Sequence, residues 1–271
     1  MTRTRKARVL MAAEQPQVVL TVDRRPPDDH VAFLTVHNPT RLNALSSAVM
    51  DGFVAAVEQL RQDEALRVLV VTGTGDRAFV GGADIDEMAH LDVTSARAFI
   101  TRVHRCCEAL RDLPVPVIAR INGYALGAGL ELAAACDLRV ATDTAQFGMP
   151  EVRLGMPSVV EAALLPALVG WGHARELLLL GEIITAQEAA RWGLIERVVP
   201  ADQLDQAVER WIQAVLSAEP RAVRLQKRLI RKWEKLPLDA AIQAGIDAFE
   251  TAFESDEPRR AIAKFRARRK P

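Results

Sequence analysis

Two glutamates, Glu131 and Glu151, stand in surroundings that are unusual for charged side chains. Glu131 lies within the apolar run LELAAA, and Glu151 follows Met149-Pro150 and precedes Val152. Burying a carboxylate in such surroundings costs free energy unless the group is paired or used, and desolvation raises its pKa. A carboxyl whose pKa lies near neutrality can carry protons at physiological pH. The two residues therefore indicate acid–base chemistry.

Two glycine-bearing turns accompany these acids. The segments Gly81-Gly82-Ala83 and Gly127-Ala128-Gly129 each precede a predicted helix. The N-terminus of a helix presents unpaired backbone N–H groups at the positive end of its dipole, where an anion can bind. Small residues also let a substrate approach the backbone closely. The two glutamates and the two glycine turns together indicate a reaction on a carbonyl compound whose oxygen becomes negatively charged.

Each carboxylate also has a structural interpretation. A buried Glu131 can form a salt bridge with Arg120 or Arg139, and Glu151 can pair with Arg153. A buried acid is tolerated when it has such a partner. Both interpretations stay open at the level of the local sequence pattern.

The elements that must position these residues alternate between strand and helix in the first half of the chain. Strand patterns cover 18–22, 31–36, 68–75 and 115–121, and helical patterns cover 47–62 and 94–112. From residue 158 onward the pattern is mostly helical. This order predicts an α/β fold with a parallel sheet, followed by helices that cover the core or make subunit contacts. A turn into a short helix is expected near Asp84, whose spacing from Glu87 is typical of an N-cap pair.

Composition excludes several classes of function. Lys and Arg total 35 and Asp and Glu total 35, so the chain has no net charge to drive nucleic-acid binding. Three cysteines form neither a disulfide framework nor a metal-binding spacing, which favours a reducing, cytoplasmic location. No uninterrupted apolar run approaches the ~18–20 residues that span a bilayer. Nucleotide-binding glycine motifs are also missing. We therefore expect neither a nucleic-acid partner nor a membrane partner.

The chain divides into three predicted regions. Residues 1–17 form a basic tail, expected to be disordered, with an organelle transit peptide as the alternative. Residues 18–200 form the core. Residues 201–271 form a C-terminal helical oligomerisation region.

Four segments, in this order and spacing, resemble the crotonase (enoyl-CoA hydratase/isomerase) superfamily. They are HNPTRLNALS, AFVGGADIDEM, NGYALGAGLELAAACD and AQFGMPEVRLGMP. The resemblance runs from about residue 18 to the C-terminus. It implies a ββα spiral core with C-terminal helices that assemble a homotrimer or a dimer of trimers. It also implies an acyl-CoA substrate, in which coenzyme A is part of the substrate, with no metal and no further cofactor.

The resemblance also implies roles for individual residues. The backbone N–H groups of Ala83 and Ala128 would bind the thioester oxygen. Glu131 would activate water for attack on the β-carbon, and Glu151 would handle the α-carbon proton. Having both acids favours hydration of a 2-enoyl-CoA, as in fatty acid metabolism. The alternatives are an enoyl-CoA isomerase or other reaction of the superfamily, and an acyl-CoA-binding protein without turnover.

By the same resemblance, one set of residues would contact coenzyme A. It comprises Arg41, Leu42, Ala44, Asp84, Ile85, Asp86, Phe265 and Lys270. The position of Asp86 often carries a lysine in hydratases, which puts that contact in question. The basic C-terminus either reaches a coenzyme A on a neighbouring subunit or forms a solvated helix face.

The segment 157–161 departs from the family pattern. Where hydratases usually continue with glycines, this chain has PSVVE. The spacing of Ser158 and Glu161 predicts a capping box, with a third active-site acid as the alternative for Glu161. Bulkier residues in this segment are expected to reshape the acyl pocket.

Overall fold

The computed structural model describes residues 15–267. A six-stranded sheet of order β1-β2-β3-β5-β7-β10 forms its centre, parallel throughout except for the β1–β2 hairpin. A second sheet of order β4-β6-β8-β9 lies beside it, with β9 antiparallel. The strands are β1 Gln17–Arg25, β2 Asp29–His37, β3 Leu66–Gly73, β4 Ala78–Val80, β5 Val117–Ile121, β6 Tyr124–Leu126, β7 Leu138–Thr142, β8 Gln146–Gly148, β9 Ile183–Thr185 and β10 Arg197–Val199.

Ten α-helices surround the sheets in the described part of the chain. They are α1 Ser47–Arg61, α2 Ile85–Met88, α3 Val93–Asp112, α4 Ala128–Ala135, α5 Leu165–Leu180, α6 Ala186–Arg191, α7 Leu204–Ser217, α8 Pro220–Trp233, α9 Leu238–Ala252 and α10 Glu257–Ala267. Short 3-10 helices cover Pro39–Arg41, Pro150–Leu154, Val160–Leu164 and Ala201–Gln203.

The central sheet is buried on both faces, as its sequence requires. In β3, Leu69 and Val71 belong to the main core with α1, α3 and α4, whereas Val68 and Val70 pack with α7 on the opposite face. Successive side chains of a strand point to opposite faces, so a strand between two helical layers is apolar at every position. This explains the continuous run in β3 and confirms the predicted α/β architecture.

The predicted elements agree with the observed ones to within a few residues, apart from the second sheet. Its strands β4, β6, β8 and β9 have three residues each. Three residues are too few to establish an alternating pattern, so the sequence reveals turns there rather than strands. This second sheet carries the turns that precede the candidate site.

The C-terminal helices differ in their packing. α7 buries Leu204, Ala207, Val208 and Ile212 against the central sheet. In α9, by contrast, no residue is buried, and Leu238 and Phe249 are more than two-thirds exposed. The last helices therefore present an apolar surface within the single chain.

One described stretch, Val160–Leu180, is long and apolar enough to cross a membrane by length and composition. Its helical part is interrupted at Gly170, where φ is 75° and ψ is 161°. Glu161, Arg175 and Glu176 divide the stretch, so the sequence contains no uninterrupted apolar run of that length. The lack of a membrane partner stays a prediction.

Candidate active site

Three neighbouring strands of the second sheet end side by side. β4 pairs with β6 and β6 pairs with β8, all in parallel. The carboxyl ends of parallel strands meet at one edge of a sheet, where ligands commonly bind. The turns at Gly82 and Gly127 and the 3-10 helix Pro150–Leu154 follow these strands. The topology thus brings both glycine turns and Glu151 together.

Glycine is required at both turns. Gly82 has a φ of 121°, and a Cβ there would lie 3.3 Å from the carbonyl oxygen of Leu126. Gly127 has a φ of 51°, and a Cβ there would overlap the Oε1 atom of Glu151. Backbone with positive φ is open to glycine at little cost. These glycines let the two turns and one carboxylate approach each other.

The backbone N–H groups of Ala83 and Ala128 lie where the two glycine turns come close to the Glu151 carboxylate. Leu45 pairs with the first turn through its N–H to the Gly82 carbonyl and through its carbonyl to the Asp84 N–H, each 2.9 Å long. This pairing does not use the N–H of Ala83. Ala128 begins α4, so its N–H has no intrahelical partner. Neither N–H has an acceptor within residues 15–267, and both residues line the same cavity.

Glu131 is buried in α4, with 4% of its surface exposed. Its Oε1 accepts a hydrogen bond from the N–H of Ala162 at 3.3 Å. Burial, reinforced by the charges of Glu151 and Glu161, raises the pKa of Glu131 to about 8 despite that hydrogen bond. The expected upward direction is confirmed, and this carboxyl exchanges its proton near neutral pH.

The arginines that could neutralise Glu131 have other partners. Arg120 donates to Asp205 at 2.7 Å. Arg139 binds Glu196 and donates to the carbonyl of Cys136 at 2.8 Å. The salt-bridge interpretation of Glu131 is therefore wrong.

Glu151 is half-buried in the 3-10 helix Pro150–Leu154. Its Oε2 accepts a hydrogen bond from the hydroxyl of Ser158 at 2.7 Å. Arg153 is not its partner, because its Nε donates to the Leu180 carbonyl at 3.2 Å. The carboxylate thus keeps an accessible position that is fixed by a neutral donor.

A cavity of about 670 Å³ joins these groups. Glu131, Glu151 and the two turns lie on its wall, and most of the remaining lining is apolar. The apolar part includes Ile85, Met88, Leu91, Phe99, Ile100 and Val103. The site therefore combines a compartment for an aliphatic group with two acids and two N–H donors.

Comparison with known proteins places this arrangement in a family. The family model described as enoyl-CoA hydratase/isomerase matches residues 28–271. The chain belongs to the enoyl-CoA hydratase/isomerase family. It is 36% identical to the crotonyl-CoA hydratase of Syntrophomonas wolfei, over 90% of this chain and 94% of that protein. It is 34% identical to the short-chain-enoyl-CoA hydratase of Clostridium acetobutylicum, over 89% and 92%.

A solved structure supports the same assignment. The enoyl-CoA hydratase from Bacillus anthracis superimposes with a TM-score of 0.87 at 33% identity, covering 93% of this chain and 97% of that one. The predicted superfamily and its fold are confirmed. Assembly through the C-terminal helices stays a prediction.

Within this family member, the early loop, residues 37–46 (HNPTRLNALS), supports the first glycine turn, Gly81-Gly82-Ala83. The Leu42 carbonyl accepts a hydrogen bond from the Gly81 N–H at 2.7 Å. Arg41 pairs with Asp84 at 3.2 Å and with Asp86 at 2.5 Å. Asp86 and Arg41 are exposed, so both side chains remain accessible to a polar ligand.

The remaining residues of the predicted coenzyme A set are spread over the molecule. Ala44 is buried, and Ile85 is exposed on the cavity wall. Phe265 lies exposed on α10. Lys270 lies outside the described residues. Their contact with coenzyme A stays a prediction.

Asp84 confirms its predicted cap, although the full capping pair does not form. Its carboxylate accepts from the N–H groups of Asp86 and Glu87 at the start of α2. Glu87 does not reach back; it binds the hydroxyl and the N–H of Ser47 at the start of α1. Asp84 therefore caps the N-terminus of α2, and Glu87 connects α2 to the N-terminus of α1 by hydrogen bonds.

The predicted capping box of Ser158 and Glu161 is wrong. The following 3-10 helix has Val159 at its N-cap and no side-chain cap. Ser158 binds Glu151, and Glu161 contacts His104 on α3. Residues 104 and 161 are far apart in sequence, so the local pattern carries no signal for this pair.

Proposed function

We propose that this protein is an enoyl-CoA hydratase, which adds water reversibly to a 2-enoyl-CoA. The observation that carries the proposal is the meeting of two carboxylates with two unpaired backbone N–H groups at one wall of an apolar cavity. Hydratase names among relatives that cover about nine-tenths of the chain support it.

The two N–H groups act on the thioester oxygen. When water attacks the β-carbon, the electrons of the double bond move toward the carbonyl and the oxygen becomes an enolate. Donors from Ala83 and Ala128 would stabilise that charge in a water-poor site, and losing one such donor typically costs about 10²–10³-fold in rate. This defines the proposed oxyanion hole.

The carboxylates then manage the protons. In hydration, ionised Glu131 takes a proton from water as the water oxygen bonds to the β-carbon, and Glu151 in its protonated form gives a proton to the α-carbon. Proton exchange with solvent then returns both acids to their starting states. A pKa of about 8 leaves roughly a tenth of Glu131 ionised at pH 7 but makes it a stronger base than an ordinary glutamate. The net reaction adds one water without oxidation or reduction, so it requires no redox cofactor, and in this proposal the two backbone donors supply the charge stabilisation for which a metal could otherwise be used.

We further propose that the substrate's coenzyme A moiety lies over the early loop and the first turn, near Arg41 and Ile85. The exposed apolar residues of α9 and α10, including Leu238, Phe249 and Phe265, fit an interface between subunits of a trimer or a dimer of trimers. Analytical ultracentrifugation tests this assembly, and a monomer at micromolar concentration would contradict it.

The function is tested by following the absorbance of the conjugated thioester with crotonyl-CoA and a longer 2-enoyl-CoA. We expect loss of absorbance and products heavier by one water. A product of unchanged mass with a shifted double bond would instead identify an isomerase. Binding of both thioesters without any reaction would favour a binding protein.

Proton exchange distinguishes the two acids. If Glu151 handles the α-carbon proton, Glu151→Gln abolishes exchange of the α-hydrogens of butyryl-CoA with deuterium oxide. Glu131→Gln retains this exchange while losing hydration. The opposite pattern would exchange the two roles.

A further inference from the structure

Glu161 is a third acid close to the candidate active site. Only 8% of its surface is exposed. Its Oε1 lies 2.8 Å from Nδ1 of His104, whereas its Oε2 is buried without a hydrogen-bond partner in the described chain. Burying a carboxylate oxygen without a hydrogen-bond partner lowers the free energy of unfolding. A contact between apolar side chains would hold the turn against α3 without this loss of stability. Packing alone therefore does not explain this residue.

The turn that carries Glu161 also holds Glu131. The next residue, Ala162, shares its N–H between the Val159 carbonyl at 2.9 Å and the Oε1 of Glu131 at 3.3 Å. The preceding residue, Val160, has a φ of 41°, which is uncommon for a β-branched side chain. Such a conformation costs on the order of 1–3 kcal/mol and persists where the surrounding contacts enforce it. One of these surrounding contacts is the hydrogen bond between Glu161 and His104, which attaches this turn to α3.

A second cavity borders Glu161. It has a volume of about 220 Å³ and is lined by Glu161 and His104 together with Arg111, Arg231 and Lys235. That space holds several water molecules at about 30 Å³ each, and its lining offers them polar partners. His104 also lines the larger cavity. His104 therefore borders both this polar chamber and the cavity of the candidate active site.

We propose that Glu161, held by His104, is a positioning residue for Glu131: it fixes the turn whose Ala162 N–H orients the Glu131 carboxylate, and it places a second negative charge nearby. This proposal rests on the proposed hydratase function, in which Glu131 activates water. Glu161 contacts neither the attacking water nor the substrate in this role; it acts through Glu131.

The charges around Glu131 and Glu161 determine in which direction the pKa of Glu131 should move when Glu161 is neutralised. Besides burial, Glu151 and Glu161 raise the pKa of Glu131. On α3, burial raises the pKa of Cys106 to about 12 and that of Cys107 well above its ordinary value, so both thiols stay neutral at physiological pH.

Three cations line the chamber together with Glu161, namely Arg111, Arg231 and Lys235. Arg231 pairs with Asp112 at 2.9 Å and with Glu234 at 3.1 Å, and Arg111 pairs with Glu234 at 2.6 Å. The two arginines thus have acids of their own, whereas Lys235 forms no ion pair within residues 15–267. Removing the charge of Glu161 should lower the pKa of Glu131.

The test compares Glu161→Gln with Glu108→Gln. Glu108 is an exposed acid on α3, 3.8 Å from Nε2 of His104, so its variant removes an equal charge beside the same histidine. Carboxyl carbon NMR gives the titration midpoint of Glu131 without turnover, and steady-state kinetics with crotonyl-CoA gives kcat and KM. Thermal unfolding shows that each variant is folded.

We expect Glu161→Gln to lower kcat about tenfold or more with KM within about threefold, since a displaced catalytic group loses rate without losing binding. Its Glu131 midpoint should move to lower pH, whereas Glu108→Gln should match the wild type in both measurements. An unchanged kcat and midpoint in a folded Glu161→Gln would overturn the proposal, as would equal effects in the two variants.

A second variant keeps the proposal testable if Glu161→Gln does not fold. His104→Gln breaks the same contact from a partly exposed position. It should also lower kcat with little change in KM, and an unchanged kcat in folded His104→Gln would overturn the proposal. Where both single variants fold, the double variant should lose little more than either one, because both remove one interaction, and fully additive losses would also overturn the proposal. A wild type that hydrates no enoyl-CoA would instead refute the proposed function, while the NMR titration still reports on the coupling.

Discussion

Glu131 and Glu151 face one cavity, yet the chain holds them in different ways. Glu131 sits in a helix whose eight residues are all buried, and its described hydrogen-bond partner is a backbone N–H. Glu151 sits in a 3-10 helix without buried residues and is held by the hydroxyl of Ser158. One acid is tuned by desolvation, and the other is fixed by a neutral side chain. Paired acids thus acquire different tasks from their surroundings rather than from their chemistry.

Neutralising either acid should give the largest effect. Glu131→Gln and Glu151→Gln each keep the size of the side chain but cannot exchange a proton. We expect each to lower kcat by about 10²–10⁴-fold, the usual contribution of a general acid or base, with little change in acyl-CoA affinity. Steady-state kinetics and calorimetric binding of butyryl-CoA measure the two quantities. Near-wild-type hydration in either variant would remove that residue from the mechanism.

The pH dependence of hydration should reflect the buried acid. If ionised Glu131 accepts the proton of water while protonated Glu151 donates one, kcat/KM is bell-shaped in pH, and the limb that belongs to Glu131 lies near pH 8. A profile recorded from pH 5.5 to 9.5 in buffers of constant ionic strength measures this. A limb near pH 8 that persists in the residual activity of Glu131→Gln would show that another group titrates there.

The free energy of unfolding should also depend on the protonation of Glu131. The pKa of Glu131 rises from 4.5 to about 8 on folding, so the folded state retains a proton that the unfolded state loses. The free energy of unfolding therefore falls as the pH rises from 4.5 to about 8, and the fall is at most about 5 kcal/mol. Glu131→Gln should lack this component and exceed the wild type in stability at pH 9.

Denaturant unfolding at pH 5 and pH 9, at one protein concentration, checks this expectation. The difference between wild type and Glu131→Gln isolates this carboxyl, because all other groups titrate in both proteins. A difference that does not change with pH would show that Glu131 is not buried as a neutral acid.

The sequence predicts one of these sites better than the other, for a physical reason. The apolar run around Glu131 is local, so its burial and the direction of its pKa follow from the sequence itself. The partners of Glu151 and Glu161 depend on the path of the segment 157–161, where Val160 adopts a positive φ. A capping spacing assumes regular helical backbone, which this residue interrupts, so the local sequence does not predict the pairing of Ser158 with Glu151. The short strands that bring the turns together are likewise set by tertiary pairing rather than by periodicity.

Removing the hydroxyl that fixes Glu151 should give the smallest effect. Ser158→Ala deletes one hydrogen bond to a half-buried carboxylate, whose oxygen can instead bind water from the cavity. We expect kcat to fall by about tenfold or less, in keeping with a net loss of about 1 kcal/mol, while the pH dependence assigned to Glu131 stays in place. Ser217→Ala is the matched control, because Ser217 is an exposed serine at the end of α7 that bonds to its own helix. A loss as large as that of Glu151→Gln would mean that Ser158 itself takes part in the proton transfer, and the contrast between a tuned acid and a merely fixed one would then need revision.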